Sequence, residues 1–215
     1  MNDSSHENFS ELNRFMEILA VCHTVIAEKS KKAHNSDHLA YNASSPDELA
    51  LVNAAKFFGY YFKGRDEDNN MIVELKSEPD DIMIGNGTKQ FRLLNVIEFN
   101  STRKRMTVIV QSMQDDTIRV MCKGADSILY PLLKSKQARL IETTKGFLDA
   151  FSKEGLRTLV IAEKIISEDK YFHWNKEYQA ALLSTTNREE KVGVVAELIE
   201  TDFDLVGTTA IEDKL

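Results

Sequence analysis

A chain of 215 residues with 42% hydrophobic and 28% charged side chains has the proportions of a folded globular protein. Those proportions exclude an intrinsically disordered chain, and the length removes any need for disulfides or metals as staples. Nine glycines and three prolines are about half the usual share, and 27 basic against 34 acidic side chains leave a net charge of −7; collagen-like and linker-rich chains are out, and a domain built to neutralise a nucleic-acid backbone is disfavoured, although one local basic pocket remains compatible.

The best apolar run, 18–27, is shorter than the ~18 to 20 residues needed to cross a bilayer, and it contains His23. Met1 is followed by polar residues, so no signal peptide is read. Cys22 and Cys122 lie in well-separated apolar stretches and read as two buried free thiols of a reducing compartment.

In chain order, the first signal is an amphipathic helix over 11–23, with Ser10 as its cap and Leu12, Phe15, Met16 and Leu19 at helical spacing. Residues 27–41 are mostly polar, with Lys29, Lys31 and Lys32 clustered, and read as an exposed loop. Ser45-Pro46-Asp47-Glu48 then combines a cap, a proline at the first helical position and a glutamate three residues on, predicting a helix to Phe58 stopped by a left-handed Gly59. Strands are predicted over 60–63 and 71–76, joined by a polar hairpin, and again over 91–99, 106–111 and 117–123. The turn at 113–116 makes the last two antiparallel neighbours, with Ile118, Val120 and Cys122 alternating against Arg119, Met121 and Lys123.

Helices follow over 126–133 and 137–154, the second with a stripe of Leu140, Ile141, Thr144, Phe147, Leu148 and Phe151 ended by Gly155. A strand over 157–165, a helix capped by Ser167 to about Leu183, a helix started by Asn187 to Ile199 and a strand over 203–211 complete the chain. The sum is one α+β domain over 1–215, a twisted antiparallel β-sheet flanked by helices, with residues 1–9 expected to be disordered. Because 208–215 stops mid-motif, the end reads as a cut inside a longer protein.

Several constellations carry chemistry on paper. Gly85-Asn86-Gly87-Thr88-Lys89 lacks the full phosphate-loop spacing and reads as a turn before a strand. Of His6, His23, His34, His38 and His173 none sits with another at i+4 on a helix, although His34 and His38 share that interval in a loop, and no serine or cysteine sits in a Gly-x-Ser-x-Gly elbow, so neither a metal cage nor hydrolytic catalysis is read. Arg103-Lys104-Arg105 is the densest basic run and reads either as a solvated loop or as a dock for a polyanion. Lys123-Gly124-Ala125-Asp126 joins a strand to a helix whose N-terminal amides suit an anion, and Gly155-Leu156-Arg157-Thr158 puts an arginine at a strand start.

Taken together and in order, Ser45-Pro-Asp-Glu48, Phe99 followed by Arg103-Lys-Arg-Met106, Lys123-Gly-Ala-Asp126, Gly155-Leu-Arg-Thr-Leu159 and Thr209-Ala-Ile-Glu-Asp-Lys-Leu215 resemble the nucleotide-binding domain of P-type ATPases. The resemblance runs from about Phe15 to the last residue. The Arg-Lys-Arg-Met and Thr-Ala-Ile-Glu-Asp-Lys-Leu forms, with Ala20-Val-Cys-His-Thr24, look like the phospholipid-flippase branch rather than a cation pump.

The resemblance implies that Phe99 stacks on adenine, Lys123 lines the pocket floor, Glu48 faces the adenine amino group and Arg157 reaches the phosphates, with Lys104 and Thr158 as further contacts. An aromatic face, a point charge and a planar fork suit a nucleotide, whereas Glu48 is explained equally by its capping box. The cation pumps carry an arginine two places after the stacking phenylalanine; Ser101 stands there in this chain, which shifts phosphate contact towards Arg157 or residues elsewhere. The Asp-Lys-Thr-Gly-Thr phosphorylation motif is absent from the sequence, so the implied role is to hold ATP for transfer of its γ-phosphate to an aspartate elsewhere.

By the same resemblance, residues 212–215 begin a hinge to a phosphorylation domain. Mg2+ belongs to the full-length enzyme and is not held by this chain. The partners are ATP, the phosphorylation and actuator domains, and, through membrane segments elsewhere, a phospholipid and an accessory subunit, at the cytosolic face of a membrane. Neither nucleic-acid binding nor direct membrane insertion is expected. The alternatives are the same domain of a cation or other P-type pump and a non-catalytic module that docks on anionic lipid or nucleic acid through Arg103-Lys-Arg105.

Overall fold

The computed structural model of the chain describes residues 8–29, 39–76 and 87–212. Nearly all of the expected disordered start (residues 1–7 of 1–9), most of the expected hinge (residues 213–215), His6, His34, His38, Lys31, Lys32, Gly85 and Asn86 lie outside the described residues. Two compact units are present: Met1–Leu93 with Ser112–Asp115, and Leu94–Gln111 with Asp116–Leu215. Seven successive strands pair in chain order within one sheet, the order expected of antiparallel neighbours.

The first unit opens with α1 (Phe9–Val21), two residues earlier than the Ser10 cap suggests. Phe9 extends the stripe of Leu12, Met16 and Leu19 backwards at helical spacing, so the cap is Asn8 and Ser10 lies exposed inside the helix. The segment 27–41, expected as a loop, contains two short antiparallel strands, β1 (Ile26–Lys29) and β2 (Leu39–Asn42). Each has four residues, too few for a period-two pattern to stand out, and Tyr41 ties β2 down by donating its hydroxyl to the Phe62 carbonyl at 2.8 Å.

Helix α2 (Pro46–Phe57) begins at the predicted Ser45 cap, whose hydroxyl accepts the Glu48 amide at the long distance of 3.5 Å. It ends where Gly59, at φ 90°, takes the left-handed conformation a side chain would strain. The hairpin β3 (Tyr60–Arg65) and β4 (Asn70–Leu75) follows, turned by Asp66, whose carboxylate accepts the amides of Asp68 and Asn70 at 3.0 and 2.8 Å. Buried His23 accepts the Val25 amide at Nδ1 (3.1 Å) and donates from Nε2 to the Ala20 carbonyl (2.8 Å), a neutral tautomer, and packs edge-on against Phe62.

β5 (Gly87–Ile97) starts four residues earlier than read from sequence and absorbs Lys89, which pairs with Glu17 of α1. The lysine of the Gly85–Lys89 run is thus a strand residue with a carboxylate partner.

The second unit carries β6 (Arg105–Ser112) and β7 (Ile118–Gly124), joined by the predicted turn, then β8 (Arg157–Ile166) and β9 (Asp204–Ile211), each antiparallel to the last. Helical signals over 126–133 resolve into one α-turn, α3 (Asp126–Leu129), and a 3-10 turn (Tyr130–Leu132) at Pro131, which has no amide to continue an α-helix. Helices α4 (Ala138–Lys153), α5 (Glu168–Leu182) and α6 (Arg188–Ile199) complete it, α5 capped by Ser167 as predicted. Ile109, Val120, Cys122, Val160 and Ala162 meet Leu148, Trp174, Ile199 and Phe203 in this unit's core. Cys22 and Cys122 are both buried thiols. No described helix is long and apolar enough to cross a membrane.

Candidate functional site

One end of the second unit's strands gathers most of the residues that the sequence singles out. Phe99 follows β5 in the connection to β6 and is 61% exposed; Phe57, Phe147 and Phe172 are also exposed elsewhere on the chain. Lys104 precedes β6 in a left-handed conformation (φ 50°), its amide donating to the Asn100 carbonyl at 2.8 Å. Its own carbonyl accepts the Ala125 amide at 3.1 Å, which joins the start of β6 to the end of β7.

Between them stands Gly124, opposite Arg105 in the ladder. A Cβ there would lie 2.6 Å from Arg105 Cβ and 2.7 Å from the Lys104 carbonyl oxygen, so this close approach requires glycine.

Lys123, one residue earlier, is buried and faces Met106 and Ile161 on the two neighbouring strands. Alternation from Ile161 places Arg157 on the same face of the sheet as Lys123, and places Thr158 on the opposite face with Val160. Arg157 is exposed at the start of β8, three residues before Val160, the partner of Gly124. At ~3.3 Å per residue it projects ~10 Å past the end of β7. The structure therefore brings Lys104, Lys123 and Arg157 to one end of adjacent strands β6, β7 and β8, beside the Phe99 connection, and separates Thr158 from Arg157 by the thickness of the sheet.

Glu48 lies in the first unit, in the first turn of α2. Its Oε2 accepts the Thr24 hydroxyl at 2.7 Å and the Thr24 amide at 3.2 Å, which docks the chain after α1 onto the start of α2.

Two readings of the basic and glycine-rich segments change. The amides after Lys123-Gly124 head a helix of four residues only, and Asp126 in its first turn accepts the Ser127 amide on its own carboxylate at 2.6 Å, so that turn offers an anion little. The run Arg103-Lys104-Arg105 is not a basic surface. Arg103 donates to Glu200 Oε1, Arg105 donates from Nε to Glu200 Oε2 at 2.8 Å, and Lys104 alone of the three is exposed.

Glu200, at the end of α6, is fully buried and also accepts the Thr107 hydroxyl. Sequence reasoning missed it; an acid directly after the apolar end of a helix and before a strand is the one signal, and it does not name a partner. Tyr178 of α5 stands in the field of these charges, and burial, more than any of them, raises its phenol above its ordinary value.

A surface depression at the start of α6, lined by Leu182, Asn187, Arg188, Glu189, Glu190 and Val192, includes none of the candidate nucleotide-binding residues read from sequence. Among the described residues no group of three or more His, Cys, Asp or Glu side chains could hold a metal ion.

Comparison with known proteins gives a consistent assignment. Residues 11–215 match the family described as P-type ATPase, cytoplasmic domain N. The phospholipid-transporting ATPase C4F10.16c of Schizosaccharomyces pombe is 40% identical over 214 residues, covering 98% of this chain and 14% of the relative. DRS2 of Saccharomyces cerevisiae, also named a phospholipid-transporting ATPase, is 40% identical over 215 residues, 100% of this chain and 15% of its own. The human phospholipid-transporting ATPase IC is 41% identical over 205 residues, 95% and 15% respectively. The chain thus spans about one-seventh of the length of these relatives.

Proposed function

This chain belongs to the P-type ATPase cytoplasmic N-domain family, and from that premise we propose that it binds ATP at the end of β6–β8 and presents the γ-phosphate to an aspartate in another domain of a phospholipid-translocating enzyme. The single observation that carries the reading is the convergence of exposed Phe99, Lys104, Lys123 and Arg157 on one end of consecutive strands. Phe99 supplies the stacking face for adenine. Lys123, on the sheet face it shares with Arg157, supplies a fixed positive charge at the base of the site, and Arg157, projecting past β7, reaches outward to the phosphates. Arg103 does not stand in for the arginine absent at Ser101, because Glu200 holds its guanidinium.

Phosphoryl transfer depends on positioning and charge stabilisation, and this chain supplies positioning. Mg2+ would be held by the nucleotide phosphates in the complete enzyme and would supply charge neutralisation there. The reading as lipid rather than cation transport is supported by the relatives named above, and in this reading the domain works on the cytosolic side of a membrane beside phosphorylation and actuator domains.

Binding is weak in this reading. One stacked base contributes about 1–3 kcal/mol, and partly solvated contacts bring the sum near the ~4 kcal/mol of millimolar affinity. An NMR titration with ATP shifts the amides around Phe99, Lys123 and Arg157, and Phe99→Ala removes most of that response. Unchanged wild-type spectra at several millimolar ATP overturn the proposal.

A further inference from the structure

We propose that Glu200 is the positioning residue of the nucleotide-facing loop, holding Phe99 and Lys104 in place through Arg103 and Arg105; the inference rests on the ATP reading above. The loop between β5 and β6 has no secondary structure beyond a turn, and an exposed aromatic on such a segment has nothing of its own to hold it. What closes it is Arg103. Its amide donates to Asn100 Oδ1 at 2.7 Å, its Nη1 donates to the Glu98 carbonyl at 3.3 Å, and its Nη2 donates to Glu200. One guanidinium therefore ties the residue before Phe99 to a carboxylate that approaches from the opposite end of the sequence.

Arg105 fixes the other foot of the loop. It donates from Nε and Nη2 to Glu200 Oε2, both at 2.8 Å, and from Nη1 to the Arg103 carbonyl at 3.4 Å. Thr107, two residues along β6 and so on the same face, donates its hydroxyl to Glu200 Oε1. Lys104 lies between the two arginines with its side chain turned outwards.

The carboxylate itself is set by the fold. Glu200 ends α6, its amide bonded to the carbonyls of Ala196 and Glu197, and no part of it reaches solvent. A buried carboxylate with fork-shaped donors on both oxygens holds its partners in fixed directions, which a solvated ion pair does not. Its proposed contribution is pre-organisation: a loop already ordered loses little freedom when adenine stacks on it.

The test uses the 215-residue chain with Glu200→Gln, which keeps the shape and removes the charge, and Arg103→Lys, which keeps a charge for Glu200 but lacks the second arm for Glu98. Leu148→Ala, a core truncation in α4, which packs on β8 and β9 and makes none of the loop's hydrogen bonds, serves as a control for lowered stability alone. Backbone order parameters of residues 99–104 without nucleotide are expected to fall from about 0.85 to below 0.6 in both loop variants and to stay high in the control. ATP affinity by NMR titration is expected to fall about fivefold or more in both, and to be unchanged in the control.

Should Glu200→Gln fail to fold, Arg103→Lys decides alone. Wild-type ATP affinity in either folded loop variant overturns the inference, as does an equal loss in Leu148→Ala. A wild-type chain that shows no response to ATP overturns the ATP reading and this inference with it, and a response that survives Phe99→Ala overturns the stacking assignment on which the loop's role depends.

Discussion

Lys164 points into the helix-covered side of β8, where its ammonium donates to the Thr201 carbonyl at 2.6 Å and lies over the ring of Phe203. Burial lowers its pKa to about 8, with Lys170 and Lys134 acting in the same direction and Asp202 and Glu200 opposing. The unfolded chain then holds a proton that the folded chain has lost between pH 8 and the ordinary lysine value of 10.5, so this group's contribution to stability rises with pH across that window. The full effect of such a shift is about 3 kcal/mol. Urea denaturation at pH 7.5, 9 and 10 is expected to show that rise for the wild type relative to Lys164→Met; parallel curves would remove the assignment. A residue-level contrast is Glu48, read from sequence as a capping-box acid or an adenine contact. Its Oε2 bonds Thr24, a partner 24 positions away that no local pattern names.

Among the elements, α4 separates a pattern from its burial. Leu140, Ile141, Thr144, Phe147, Leu148 and Phe151 all fit one broad stripe, yet Leu140 and Phe147 are 47% and 59% exposed while Leu148 is 3% exposed. The helix meets β8 and β9 along a narrower line than the stripe, and the seam is centred on Thr144 and Leu148. Leu148→Ala is expected to cost about 2–5 kcal/mol and Phe147→Ala to stay within about 0.5 kcal/mol, read from urea midpoints. Comparable losses at the two positions would mean that the exposed side of α4 is covered. Short-range signals fared better: Ser45, Gly59 and Ser167 each mark a helix end as read, because a cap acts within one turn of chain, and Asn187 marks the start of α6 as read, through a left-handed backbone rather than a side-chain cap bond.

For the whole molecule, charge is the property most changed by knowing the fold. The net −7 carries one dense basic run, and two of its three members are held by Glu200. A module that docks on anionic surfaces through Arg103-Lys-Arg105 would need those guanidiniums exposed. Sedimentation with anionic phospholipid vesicles at about 0.15 M salt is therefore expected to leave the chain in the supernatant. Strong, salt-sensitive pelleting would restore the surface-docking reading. The strand order is sequential, so neighbours in the chain are neighbours in the sheet, and this made the antiparallel architecture readable from successive strand and turn signals.

The sequence by itself determined most of the elements, though not the short strands β1 and β2, together with the α+β class and the family, since capping, alternation and ordered motifs are written in residues close together along the chain. It also named Phe99, Lys104, Lys123 and Arg157. Only the tertiary structure decided that these four share one end of adjacent strands, that Thr158 faces away from Arg157, and that Arg103 and Arg105 turn inwards. The physical reason is desolvation: whether a charge remains available to a ligand depends on which opposite charge the fold buries beside it, and Glu200 reaches those arginines from 97 and 95 positions away.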